Sequence, residues 1–316
     1  MKIPTTLILS LCSMLASAAG SFFAPSALAQ QSEASAAIQT FPVGTLPDGM
    51  AFDGANIWVA SGNNSWIIKL RASDGAQLGT FRTGGGSLYI AFDGVYIWMT
   101  HLNHSTVERL RVSDGSRQGT FTVGSLPAHV MFDGANIWVA NQGSDSVTKL
   151  RASDGALLGT FAAGPGPVGI AYDGADVWVS NHGFATVGNT VTKLAGDGTV
   201  LGTFPVGISP AGIAFDGTNI WVANHIDNTV TKLLASDGSL EGTINVGTSP
   251  TDLAVAGSNV WVTNSDDNTV AVLGNRGGIK KTYTVGTFPT GILFDGTNIW
   301  VANYFDSTVS KIKAGR

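Results

Sequence analysis

The chain has 316 residues, of which 12% are charged, a formal net charge of −5 and a single cysteine. This balance excludes the concentrated positive field that nucleic-acid and anionic-lipid binders need, and one cysteine excludes a disulfide framework. The length is enough for a self-sufficient core, since chains near 300 residues bury roughly 75% of their unfolded surface.

The N-terminus reads as a cleavable secretory signal over residues 1–29. Lys2 supplies a basic start, Leu7 to Ala16 an apolar middle, and Ala27-Leu28-Ala29 a small-residue processing site before Gln30. Pro4 and Pro25 flank the apolar stretch, and no later segment reaches the ~18 uninterrupted apolar residues of a membrane span. Cys12 lies inside the signal behind Leu11, where lipid attachment would need a small residue, so the mature chain has no thiol chemistry. Removing Lys2 takes the charge from −5 to −6. The expectation is a periplasmic or secreted protein with a short segment at 30–37 and one domain from 38 to 316.

One phrase recurs through that domain. It reads AFDGANIWVA at Ala51, AFDGVYIWMT at Ala91, MFDGANIWVA at Met131, AYDGADVWVS at Ala171, AFDGTNIWVA at Ala214, AVAGSNVWVT at Ala254 and LFDGTNIWVA at Leu293. The spacings are 40, 40, 40, 43, 40 and 39 residues, a period that marks propeller blades. Within a copy, Gly212 to Phe215, Ile220 to Ala223, Thr229 to Leu233 and Gly242 to Val246 are β-rich runs broken by D-G or Asp-Asn turns. The fold class is therefore all-β: a seven-bladed β-propeller with four antiparallel strands per blade. Thr40 to Gly44 matches a fourth strand but precedes the first blade, while the last copy stops after three strands. The N-terminal strand should therefore close the last blade and remove two open edges.

Residues present in nearly every copy read as structural. Asp53, Asp93, Asp133, Asp173, Asp216 and Asp295 sit in D-G turns, where Asp accepts local backbone bonds. Trp58, Trp98, Trp138, Trp178, Trp221, Trp261 and Trp300 read as packing between blades. Departures from the repeat concentrate on the opposite rim, formed by the two-to-three turns and the blade connections, and variable loops on a rigid scaffold are where binding resides. All five histidines fall there: His101, His104, His182 and His225 after second strands, and His129 in the connection to the third blade. Asn141, Asn181, Asn224, Asn264 and Asn303 follow second strands too, either bonding their own turns or lining a pocket. The longest two-to-three loop carries Phe184 between Gly183 and Gly188, and Tyr304, with Trp66 and Phe305, adds aromatic surface in other blades.

His101-Leu102-Asn103-His104 is the candidate pair for a divalent metal, but no Glu stands beside it in the sequence, and no cofactor is predicted. Glu33, Glu108 and Glu241 fall outside the proposed pocket, and the rim carboxylates are Asp48, Asp145, Asp227, Asp252, Asp266, Asp267 and Asp306.

The phrase P-x-G-I-A-F-D-G-x-N-I-W-V-A-N, as in Pro210 to Asn224, resembles the blades of YVTN and NHL propellers and of the virginiamycin B (streptogramin) lyase family, across all seven copies. That family's pattern implies a His directly after the inner-strand proline and Glu at second-strand ends, for metal-assisted proton abstraction and C–O elimination. Here the post-proline positions hold Asp48, Ala128, Val168, Ala211, Thr251 and Thr290, with Leu88 in the blade lacking the proline, and the second-strand ends hold Ser61, His101 and the five Asn. The expectation is a monomeric, non-catalytic propeller that binds a small polar ligand or a protein through the His/Asn rim. The alternative is a lyase or hydrolase with a rearranged site.

Overall fold

The computed structural model describes residues 38–62, 65–184 and 186–315; the expected signal at 1–29 and the 30–37 segment lie outside the described residues. Twenty-eight strands form seven four-stranded antiparallel sheets. Blade 5 is representative: Pro210–Phe215 innermost, then Asn219–Asn224, Thr229–Leu234 and Leu240–Asn245 outermost. Blade 7 takes its outer strand from the N-terminus, with Ile38–Pro42 pairing antiparallel to Thr308–Lys313, Ile38 opposite Ile312 and Pro42 opposite Thr308. The closing strand thus begins two residues earlier than the repeat alone suggests and ends at Pro42, after which Val43 N–H bonds Ser307 O at 2.9 Å, as Val246 N–H bonds Asn228 O in blade 5.

Each blade is buried on both faces, so its second strand is apolar throughout instead of alternating. The seven repeated tryptophans are all at most 1% exposed, and each packs against the following blade, as Trp58 does against Ile97 and Met99. Their indole N–H groups explain the D-G turns further. Asp216 accepts the backbone N–H groups of Thr218 and Asn219 with Oδ1, and the Trp221 Nε1–H at 2.7 Å with Oδ2. The same Asp–Trp bond recurs at Asp53, Asp93, Asp133, Asp173 and Asp295. In blade 6 Ala256 stands where the Asp would be, and the buried Trp261 Nε1 has no partner among the described residues.

A basic side chain on the third strand bridges five of the seams by donating to a carbonyl of the next blade. Lys69 reaches Val112, Arg109 reaches Ala152, Lys149 reaches Gly196, Lys193 reaches Ala235, and Lys311 reaches Ala72 across the closure. Blade 5 has the lysine, Lys232, but among the described residues it reaches no such carbonyl and lies 3.9 Å from Glu241. Blade 6 has Val272 in that position, opposite Trp261.

The rim opposite the D-G turns is assembled, in every blade but the second, by pairing the two-to-three turn with the connection entering its own blade. Examples are His182 N–H to Gly166 O at 3.0 Å, His225 N–H to Ser209 O at 3.1 Å and Tyr304 N–H to Phe288 O at 3.1 Å.

Candidate functional site

Six inner strands start with a proline paired to the end of the second strand and then bulge before regular pairing resumes, as between Pro250 and Leu253. A bulge frees side chains from the regular in-out alternation. At the second bulge position four blades carry glycine. At Gly49 an added Cβ would lie 2.5 Å from the Leu88 carbonyl, which shows how closely neighbouring inner strands approach. Blades 3 and 6 place His129 and Asp252 at this position, blade 1 places Asp48 just before it, and blade 2 presents Tyr89 ahead of its short inner strand, Ile90–Phe92.

These four departures form one polar cluster near the axis. Burial and the charge of Asp252 push the Asp48 carboxyl up to about 7, against a downward pull from the Thr290 hydroxyl. Asp252 is likewise raised to about 7 by burial, although Leu253 N–H at 2.8 Å and Ile292 N–H at 3.3 Å hydrogen-bond its two oxygens. Burial drives the Tyr89 phenol well above its usual range, and both carboxylates push it further. His129 packs on Tyr89 with ring centroids 4.7 Å apart, and burial lowers its imidazole to about 4. Among the described residues, Asp48 Oδ1 and His129 Nδ1 are buried without a partner.

Above the cluster, at the mouth, His182 and His225 meet with ring centroids 6.4 Å apart. Burial lowers the pKa of His225, helped by His182, while the Pro250 carbonyl and Asp266 oppose the shift. On the other side, burial raises the Tyr304 phenol and Asp48 adds to the effect. Tyr304 packs with Phe288 and Phe305, and Phe305 is 60% exposed. Phe184 is exposed on the long loop, which is tied to blade 5 by Ser209 N–H to Gly188 O at 2.8 Å.

The structure divides the residues singled out from the sequence. His129 lies within the inner strand Pro127–Phe132, not in the connection before it, because strand pairing already begins at Pro127. Asn141, Asn181, Asn224, Asn264 and Asn303 are the last residues of their second strands and are buried. Their amides turn into the blade. Asn224, for example, donates to Thr229 and Thr231 and accepts from Gly207 N–H. The same set surrounds Asn181 and Asn303.

His101 fills the equivalent position in blade 2 and is only 2% exposed. Its Nε2 lies 2.8 Å from Glu108, which replaces the threonine and also accepts from Gly84 N–H and Arg117. Burial alone would raise Glu108, but the hydrogen bonds from His101, Gly84 and Arg117 hold it below its usual value. Glu108 is therefore the partner of a rim histidine instead of lying away from the rim, as its sequence distance from the His101–His104 pair suggested. His104 ends a short 3-10 turn, Leu102–His104, with its ring 6.3 Å from that of His101. Among the described residues, no group of three or more His, Cys, Asp or Glu side chains has the geometry to hold a metal ion.

Asp48 and Asp252 stand out in the sequence as rim carboxylates, whereas nothing in the repeat singles out Tyr89. The signal for the cluster was a departure from P-x-G at the inner-strand bulge: P-A-H in blade 3, P-T-D in blade 6 and a missing proline in blade 2. Three surface cavities, of about 410, 430 and 340 Å³, lie elsewhere, the first two beside the D-G turns of blades 4 to 6 and the third near Trp66.

Neither a protein-family model nor a curated protein matches the sequence. The fold is shared with solved structures. A streptogramin B lyase aligns with a TM-score of 0.76 at 18% identity, over 87% of this chain and 97% of its own. The virginiamycin B lyase of Staphylococcus aureus aligns with a TM-score of 0.77 at 19% identity, over 88% and 99%. The hydrazine synthase of Kuenenia stuttgartiensis aligns with a TM-score of 0.75 at 15% identity, over 85% and 96%. At such identities the likeness is one of architecture, which hosts unrelated functions.

Proposed function

We propose that this chain is an exported propeller that binds a small polar ligand at the mouth of its central channel, between the His182–His225 pair and the Tyr304 aromatic group. What supports this reading is the replacement of inner-strand glycines by chemistry-bearing side chains. Asp48, Tyr89, His129 and Asp252 gather at bulges under the variable rim, two of their polar atoms lack partners, and buried unpaired groups are costly unless something engages them. Export rests on the signal-like residues 1–29, and N-terminal sequencing of secreted protein should find Gln30 first.

The test of binding is a thermal-shift screen of small polar compounds on the wild type and on Asp252→Ala and Tyr304→Ala. Hits whose shifts vanish in both variants are expected. An empty screen, or hits indifferent to both changes, would overturn the reading.

A second reading is C–O elimination or hydrolysis, favoured by two carboxylates raised to about 7, the range where a general base works at neutral pH. Cleavage of a streptogramin B, followed by mass spectrometry and abolished in both Asp48→Asn and Asp252→Asn, would establish it, and an unchanged substrate would overturn it.

A further inference from the structure

Resting on the binding reading, we propose that the ligand is an organic ammonium, its cationic head between Asp48 and Asp252 and its apolar body against Tyr304, Phe288 and Phe305. The two carboxylates come from the inner strands of blades 1 and 6 and sense one another across blade 7. Among the described residues neither has a lysine or arginine partner, and Asp48 Oδ1 has no hydrogen-bond partner at all. The other titratable groups facing them are Tyr89, His129 and Tyr304, with His225 and His182 at the mouth; burial keeps His129 neutral above about 4 and lowers His225. No fixed positive charge competes with an incoming cation.

The chemistry distinguishes an ammonium from other occupants. An anion would face two carboxylates and a phenol. A hard divalent cation wants six or more oxygen ligands, whereas both oxygens of Asp252 already accept backbone N–H groups and keep lone pairs suited to a further N–H donor. Tyr304, whose phenol feels the charge of Asp48, forms a trio with Phe288 and Phe305, with centroids 5.0 to 6.2 Å apart. Aromatic faces beside a carboxylate favour a cation that carries an apolar body.

Because the carboxyls are partly protonated near neutral pH, a bound cation would expel protons, so affinity should rise with pH. Calorimetry on the purified chain with benzylamine, benzyl alcohol, phenylacetate and magnesium chloride, in two buffers of different ionisation enthalpy, tests this. Benzylamine is expected to bind about tenfold or more tightly at about pH 8 than at about pH 6, with proton release. Asp48→Asn and Asp252→Asn, which resemble the protonated carboxyls and should fold, are each expected to weaken it about tenfold or more at the higher pH. Tyr304→Ala, at the mouth, should also weaken it.

Absence of benzylamine binding, or binding independent of pH and of the Asp variants, would overturn the proposal. So would equal binding of benzyl alcohol, preference for phenylacetate, or equal binding of magnesium. If benzyl alcohol or phenylacetate binds and Tyr304→Ala abolishes it, the ammonium assignment fails while the channel-mouth site survives.

Discussion

At Asp48 and Asp252 the fold holds two carboxyls whose ionisation it opposes, and the sign of the resulting pH dependence follows. Each folded pKa is raised from the unfolded 3.8 to about 7, so the native state retains protons that the unfolded chain loses. Their contribution to stability is full below about 3.8 and is lost as pH rises through about 7. Asp48→Asn should therefore raise the unfolding free energy above pH 7 by on the order of a few kcal/mol, read as a higher melting temperature, and leave it nearly unchanged below pH 4. An equal effect at both ends of that range would show that Asp48 ionises normally. His129 acts oppositely: its contribution is present above 6.5 and lost as pH falls through about 4. Histidine, whose ordinary range lies near 6.5, is the residue type at the rim that would be expected to carry its pH-dependent charge. Burial instead lowers His129 and His225, and the groups poised near neutrality are aspartates whose burial no spacing rule reveals.

At the scale of the repeat, the Asp–Trp bond sets a contrast between blades. Trp221→Phe leaves Asp216 without its indole donor and should cost about 1 to 3 kcal/mol, whereas Trp261→Phe removes an N–H that has no partner and should cost less than 1 kcal/mol. Equal losses in chemical denaturation would mean that the bond contributes nothing. In the reverse direction, Ala256→Asp supplies the missing acceptor and should stabilise the protein by about 1 kcal/mol, read as a higher urea midpoint at constant slope. The strands, turns and period were legible because each blade repeats the same local solution. The indole-to-carboxylate bond was not, although D-G-x-N-I-W fixes both partners five residues apart, because the turn explains the aspartate without it. The inward turn of Asn224 and its equivalents was equally hidden, since threonines on the adjacent strand, seven residues on, complete it.

For the whole molecule, closure is carried by the five antiparallel pairs between Ile38–Pro42 and Thr308–Lys313 and by Lys311 reaching Ala72 and Ser73. Deleting residues 30–45 should expose the edge of Thr308–Lys313 and lead to aggregation or loss of cooperative unfolding. A truncated chain that melts like the intact one would refute closure as the source of cooperativity. The seams on either side of blade 6 lack the basic bridge found at the other five, so hydrogen exchange should report earlier opening there.

The rigid ring places two aspartates, a tyrosine and a histidine, from blades 1, 6, 2 and 3, around one axis. The most direct measurement is a carbon-13 NMR titration of the aspartate carboxyl groups. Two resonances are expected to titrate near pH 7, one disappearing in Asp48→Asn and the other in Asp252→Asn, with the survivor in each variant shifting down as its neighbour's charge is removed. If every aspartate instead titrates below about pH 5, the channel carboxyls are ordinary solvated acids and the site built on them does not exist.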